Sequence, residues 1–160
     1  MKPDRVEQLM SLGVATCRPD DRLGAAARIM WEHDCGVVPV TLPEAGGERI
    51  VGMLTDRDVC MAAYTQGRAL DEIVVSTAMS DGVRACGPKE PIVNALRLMA
   101  SGQVHRLPVV DDDGHLLGLL SFADVAREEA RSHNVVPSQA IAATIEAITT
   151  PRPHDLVVAA

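Results

Sequence analysis

The sequence predicts a mixed α/β (α+β) chain: two β-α-β-β-α units that pack on each other, followed by a C-terminal helix. Three observations lead there. Apolar residues make up 47% of the 160 residues, enough for one compact domain with a core. The first half of the chain recurs in the second. Each copy then runs through the same order of hydrophobic periods.

Displacing the chain by 69 residues places Met10-Ser11 on Met79-Ser80, Gly13-Val14 on Gly82-Val83, Cys17 on Cys86 and Pro19 on Pro88. Ala26, Arg28 and Met30 fall on Ala95, Arg97 and Met99, and Pro39-Val40 on Pro108-Val109. From there the displacement is 66: Gly52 meets Gly118, Leu54 meets Leu120, Thr55 meets Ser121, and Asp58-Val59 meets Asp124-Val125. The change falls between Pro39 and Gly52, in turn-rich sequence, and is expected to lie in a loop, where extra length costs little.

Each copy opens with a short strand, residues 14–16 and 83–85, ended by a Pro turn. Helices follow over 21–33 and 90–101. Leu23, Ala26, Ala27, Met30 and Trp31 keep helical spacing in the first, and Ile92, Ala95, Leu96 and Met99 in the second. Two strands then pair in each copy, 37–41 with 50–54 and 107–110 with 116–120; Asp111-Asp112-Asp113-Gly114 is a strong turn signal. Second helices start at Thr55 and Ser121, both good N-cap residues. The division is 8–68 for the first copy, 69–79 for a linking helix around Leu70 to Met79, 80–130 for the second copy and 131–160 for the C-terminal part. That part holds a helix over 138–149, with Ile141, Ile145 and Ile148 as its stripe and Pro151 and Pro153 beyond it. The apolar tail Leu156-Val157-Val158 is open between packing, on this subunit or a partner, and a frayed end.

The net charge of −7 disfavours a phosphate backbone, and the only aromatics, Trp31, Tyr64 and Phe122, leave little for base stacking, so nucleic acid is not the expected partner. No segment approaches the roughly 18 apolar residues of a membrane span. The charged start, Met1 to Met10, does not read as a signal peptide, which predicts a cytoplasmic protein without a membrane partner. Cys17, Cys35, Cys60 and Cys86 form no CxxC pair and read as reduced thiols.

The chemistry centres on two matched segments, Gly52-x-x-Thr55-x-x-Asp58 and Gly118-x-x-Ser121-x-x-Asp124. The hydroxyl lies where strand becomes helix, and backbone N–H groups there favour an anion. An Asp one turn on can accept two hydrogen bonds from neighbouring hydroxyls, as on a ribose. The same Ser/Thr-x-x-Asp pattern is also a plain helix cap. Its recurrence at equivalent points favours the ligand reading.

These residues resemble the CBS domain, named for cystathionine β-synthase, in its tandem-pair form, over roughly residues 8–130. The resemblance rests on Gly36-Val37-Val38-Pro39-Val40 and His105-Arg106-Leu107-Pro108-Val109 together with the two Gly-x-x-hydroxyl-x-x-Asp segments. It implies two motifs packed sheet to sheet about a pseudo-two-fold axis, with two clefts for AMP, ADP or ATP as a regulatory ligand and no required cofactor. By resemblance Asp58 and Asp124 hold ribose, Thr55 and Ser121 hold phosphate, and Cys35, Gly36, Val37 and Pro39, with Leu107 and Pro108, line the adenine slot near Thr16 and Ala85. Arg57 is open between a phosphate partner and an exposed helix residue, and His105 and Arg106 between site charge and a solvated strand end. Ala123 replaces Arg57 in the second copy, and Phe122 replaces Asp56, which would repel a phosphate.

The likeness extends to small bacterial stand-alone CBS proteins, including a hypoxic-response type, in which adenosine binding is not universal. No nucleophile motif, HExxH, P-loop or GxGxxG occurs, so no enzyme and no metal site is expected. The functions left are a nucleotide sensor acting on an unidentified protein partner, a structural or interaction dimer without nucleotide, and, as the weakest, a metal or thiol sensor using Cys17 and Cys86. The resemblance implies a homodimer, for which the stripes at Ala25–Met30 and Ala95–Met99 offer faces, although core packing within the subunit explains them as well.

Overall fold

A computed structural model describes residues 3–151. Two antiparallel hairpins form its sheets, β1 (Val37–Glu44) with β2 (Gly47–Thr55), and β3 (Arg106–Val110) with β4 (Leu116–Ser121). Around them lie α1 (Leu23–Glu32), α2 (Asp56–Gln66), α3 (Ile92–Gly102), α4 (Phe122–Ser132) and α5 (Ser138–Thr149). The repeat governs this geometry in detail. Both hairpins carry a register shift at the same place, after Val40 and after Val109.

Each half has its own core. Leu23, Ala26, Met30, Val38, Val40 and Leu54 cluster in one; Ile92, Ala95, Leu96, Met99, Leu107 and Leu120 in the other. The halves also trade segments. A one-turn 3-10 helix at the chain start, Val6–Gln8, buries Val6 in the second core, while its counterpart Val75–Thr77 buries Val75 in the first. Ser11 bridges to Leu119 and Ser80 to Met53, so the opening segment of each copy pairs with the sheet of the other half. Beginning the repeat at residue 8 misses this exchange, although Val6 and Val75 obey the same displacement.

Three expectations need correction. Residues 14–16 and 83–85 are not strands: they are reduced to single parallel bridges from Cys17 to Val40 and from Cys86 to Val109. Cys17 donates its N–H to the Pro39 carbonyl and accepts from Thr41, and Pro39 has no N–H to extend the pairing. The linking segment is two short 3-10 helices, Leu70–Glu72 and Val75–Thr77, rather than one α-helix. Ile73 between them is extended, and its carbonyl and the Val75 N–H bond to Leu23 and Asp21; the β-branched run Ile73-Val74-Val75 favours this over helix. The extra residues of the first hairpin are not in a loop. They lengthen the strands down to a Glu44–Gly47 pair.

α1 starts two residues later than expected because Asp21 caps the preceding turn, accepting from Arg18 N–H at 2.7 Å. α5 matches its expected span and packs on α3, with Ile148 buried and Ile141 against the second core. The Ala and Met stripes are packing within the subunit, since Ala26, Met30, Ala95 and Met99 are buried. Nothing among the described residues covers α1 in the way α5 covers α3, and Trp31 is 86% exposed. The tail from Leu156 to Val158 lies outside the described residues. No helix among them is long and apolar enough to cross a membrane.

Candidate functional site

The same set of bonds gathers the candidate residues at one end of each sheet. In the first half Val37 pairs with Thr55 and Pro39 with Met53, the Pro39 carbonyl accepts the Cys17 N–H beside Thr16, and the Gly36 carbonyl accepts the Asp56 N–H at 3.1 Å. In the second, Arg106 pairs with Ser121 and Pro108 with Leu119. The Pro108 carbonyl accepts from Cys86 beside Ala85, and the His105 carbonyl accepts the Phe122 N–H at 2.9 Å. Val37, Pro39, Leu107 and Pro108 are buried; Thr16, Cys35, Gly36, Thr55, Asp58, Ala85, Arg106, Ser121 and Asp124 are partly buried; Arg57, His105 and Ala123 are exposed.

Hydroxyl and carboxylate meet each other at both helix starts. The Thr55 hydroxyl donates to Asp58 Oδ2 at 2.7 Å and accepts from the Asp58 N–H at 3.1 Å, while the Thr55 N–H donates to Asp58 Oδ2 at 2.8 Å. This is a complete capping box. Ser121 donates to Asp124 Oδ2 and accepts the Asp124 N–H at 3.0 Å, without the third bond.

The two starts differ in what they leave over. At α2 the Asp56 side chain accepts the Arg57 N–H at 2.8 Å, so the first three amides of the helix are all taken and a carboxylate is seated among them. At α4 Phe122 stands in place of Asp56, and the Ala123 N–H has no partner among the described residues. The carboxylates show the reverse. Asp124 Oδ1 is held by Arg127 at 2.6 Å, whereas Asp58 Oδ1 has no donor among the described residues.

Between the halves lies a cleft of about 190 Å³ lined by Gly13, Val14, Thr16 and Glu48 from one side and Leu116, Leu117 and Gly118 from the other. Of the candidate residues only Thr16 lines it; Thr55, Asp58, Ser121 and Asp124 do not. Sequence reasoning missed Glu48 and its partner Arg18. Arg18 forks onto Glu48, with Nη2 at 2.8 Å from Oε1, and its Nη1 also reaches the Thr41 hydroxyl and carbonyl, each at 3.1 Å. Bonding to that guanidinium holds the Glu48 carboxyl down at about 2. The signal in the sequence was slight: a lone Arg after Cys17, and a Glu in the stretch where the two copies differ in length.

Cys17 and Cys86 lie in separate cores, and burial pushes their thiols up to about 11 and about 12. They are buried thiols of two different cores and do not stand beside each other. The one cluster of metal-type side chains among the described residues is Asp111, Asp113 and His115, on the β3–β4 turn.

A family model described as the CBS domain matches residues 6–64 and 73–131. CBS domain-containing protein YhcV of Bacillus subtilis is 36% identical over 121 residues, 76% of this chain and 82% of that protein. Hypoxic response protein 1 of Mycobacterium tuberculosis is 30% identical over 143 residues, 89% of this chain and 92% of that one. Among solved structures, CBSX2 in complex with AMP superposes with a TM-score of 0.68 at 23% identity, covering 81% of this chain and 98% of the other.

Proposed function

The chain belongs to the CBS-domain family, and from that premise we propose that it is a regulatory module binding an adenosine nucleotide, with the phosphate at the start of α4. The observation that carries this is the unpartnered Ala123 N–H beside the Ser121 hydroxyl. Arg106 stands opposite Ser121 on the neighbouring strand and Arg127 lies one turn along α4, so the surroundings favour an anion. In this reading Asp124 exchanges Arg127 for ribose hydroxyls, and Arg127 turns to the phosphate. The first repeat takes at most a ligand without phosphate, since Asp58 keeps an oxygen for ribose but Asp56 opposes an anion. A relative's AMP complex is consistent with the ligand class.

Calorimetry with AMP, ATP and S-adenosylmethionine tests this. Asp124→Ala should weaken AMP binding by about 1–3 kcal/mol, and Asp58→Ala should leave it within error. Absence of heat and of any thermal shift at millimolar ligand would leave the alternative reading, an interaction dimer whose hydroxyl–carboxylate pairs are helix caps only. The engagement of each hydroxyl with its own Asp, away from the cleft lining, favours that alternative. Either reading pairs two chains through α1 and α2, where Trp31, Met61 and Tyr64 are exposed.

A further inference from the structure

The tips of the two hairpins meet around one buried side chain, His115, which is 7% exposed. Arg49 of β2 bridges to His115, and the Ile50 N–H donates to the Gly114 carbonyl at 3.3 Å, so the ring is clamped between the repeats. The first hairpin can approach so closely because its turn is glycine. A Cβ on Gly46 would stand 3.2 Å from His115 Cε1, and one on Gly47 would stand 3.1 Å from His115 Cβ.

The two ring nitrogens are in opposite situations. Nδ1 lies 3.1 Å from Asp111 Oδ2. Asp111 also accepts the His115 N–H at 2.8 Å and the Asp113 N–H at 3.0 Å. With Asp111 the acceptor of all these contacts, Nδ1 is the donor and Nε2 is the ring nitrogen left over for a ligand. That Nε2 is buried and has no hydrogen-bond partner. It faces Glu44 of the other repeat, whose Oε2 is 3.9 Å away.

We infer that His115 Nε2 and Glu44 Oε2 form a binding site for a divalent transition-metal ion, Zn²⁺ fitting best, that ties the two hairpins together. An imidazole nitrogen and a carboxylate oxygen suit such an ion, and a His whose other nitrogen donates to a carboxylate is the usual arrangement of a metal ligand. Bonds of about 2.0–2.2 Å at a tetrahedral angle place two ligand atoms roughly 3.4 Å apart, so Glu44 need close by only about half an ångström. Its side chain, 39% exposed at the turn, has that freedom and leaves the remaining positions of the ion to water. Arg49 Nε holds the other Glu44 oxygen at 2.7 Å and aims the carboxylate. Asp111 is a positioning residue that fixes the tautomer. The site would lock the mouth of the cleft, because Glu48 and Leu116, which line it, follow directly on these turns.

The test is Zn²⁺ added to the metal-free full-length chain, followed by ¹⁵N resonances of the histidine rings and by the thermal midpoint. The expected result is a shift of the His115 Nε2 resonance at one equivalent and a raised midpoint. Both should be lost in His115→Gln and Glu44→Gln and kept in Asp113→Asn, with affinity about 10- to 100-fold weaker in Asp111→Asn. An Nε2 resonance unmoved by Zn²⁺ overturns the site even if every variant misfolds. So does a response that survives Glu44→Gln but fails in Asp113→Asn, which puts the ion on the turn carboxylates. A ring found protonated at Nε2 that Zn²⁺ does not displace overturns it as well, and makes the group an ion pair to Glu44.

Discussion

At the start of α2 the Asp56, Arg57 and Asp58 amides donate to Gly36, to the Asp56 side chain and to Thr55; at the start of α4 the Phe122 and Asp124 amides are matched in the same way and Ala123 is left over. Both halves keep the hydroxyl cap, because each helix needs it to satisfy its first turn. The residue after the hydroxyl is not needed for the cap and is free to differ. Asp56 seats a carboxylate and takes up an amide where Phe122 leaves the Ala123 amide open. Under the proposed function, that one side chain would decide which copy takes a charged ligand while the scaffold stays fixed.

The largest expected effect tests whether the scaffolds are equivalent. Leu54 and Leu120 occupy matched positions on β2 and β4 and are both 0% exposed. Leu54→Ala and Leu120→Ala should each lower stability by about 2–5 kcal/mol, read from urea unfolding midpoints. A small loss in one half alone would show that its core is not the counterpart of the other.

Next comes the helix-start asymmetry itself. Asp56→Ala frees the Arg57 N–H and removes a carboxylate from the first turn, and should raise AMP affinity in an Asp124→Ala background by about 1 kcal/mol, roughly fivefold. Phe122→Asp should close the second site by a similar factor. Calorimetry giving no change in either variant would mean the open amide plays no part in binding.

How far the sequence could be read follows the range of the forces involved. The hairpins, the caps at Thr55 and Ser121 and the span of α5 were legible because turn chemistry, N-caps and apolar spacing act over a few residues. The exchange of Val6 and Val75 between cores was not, since only the three-dimensional packing of the halves decides it. Asp111 and Asp113 read correctly as turn residues, for Asp111 Oδ1 accepts the Asp113 N–H. The burial of His115 depends on Gly46 and Gly47 of a hairpin nearly seventy positions earlier and leaves no local mark. At the candidate ligand site the Ser/Thr-x-x-Asp spacing made the helix caps legible, while whether a ligand draws each Asp from its cap is not written in local sequence.

The smallest effect separates the halves by acid. In the first, Glu48 is held down at about 2 by Arg18; the position matching Arg18 in the second is Gly87, which has no such charge. In the second, Asp111 is held below its ordinary 3.8 chiefly by the backbone N–H of His115. Each carboxyl has a folded value below its unfolded one, so its contribution is complete above the unfolded value and is lost as pH falls, for Glu48 between 4.5 and about 2. The causes differ, and salt distinguishes them. A side-chain ion pair at the surface is screened in 1 M salt, where the Debye length is about 3 Å, while a backbone hydrogen bond persists. Hydrogen exchange, corrected for intrinsic rates, should therefore show the β1–β2 amides loosening earlier in acid at high salt than at low salt. The β3–β4 turn should loosen at the same pH in both. Glu48→Gln should remove the salt effect from the first hairpin and leave the second unchanged; equal salt sensitivity in both hairpins would refute the assignment of these two causes.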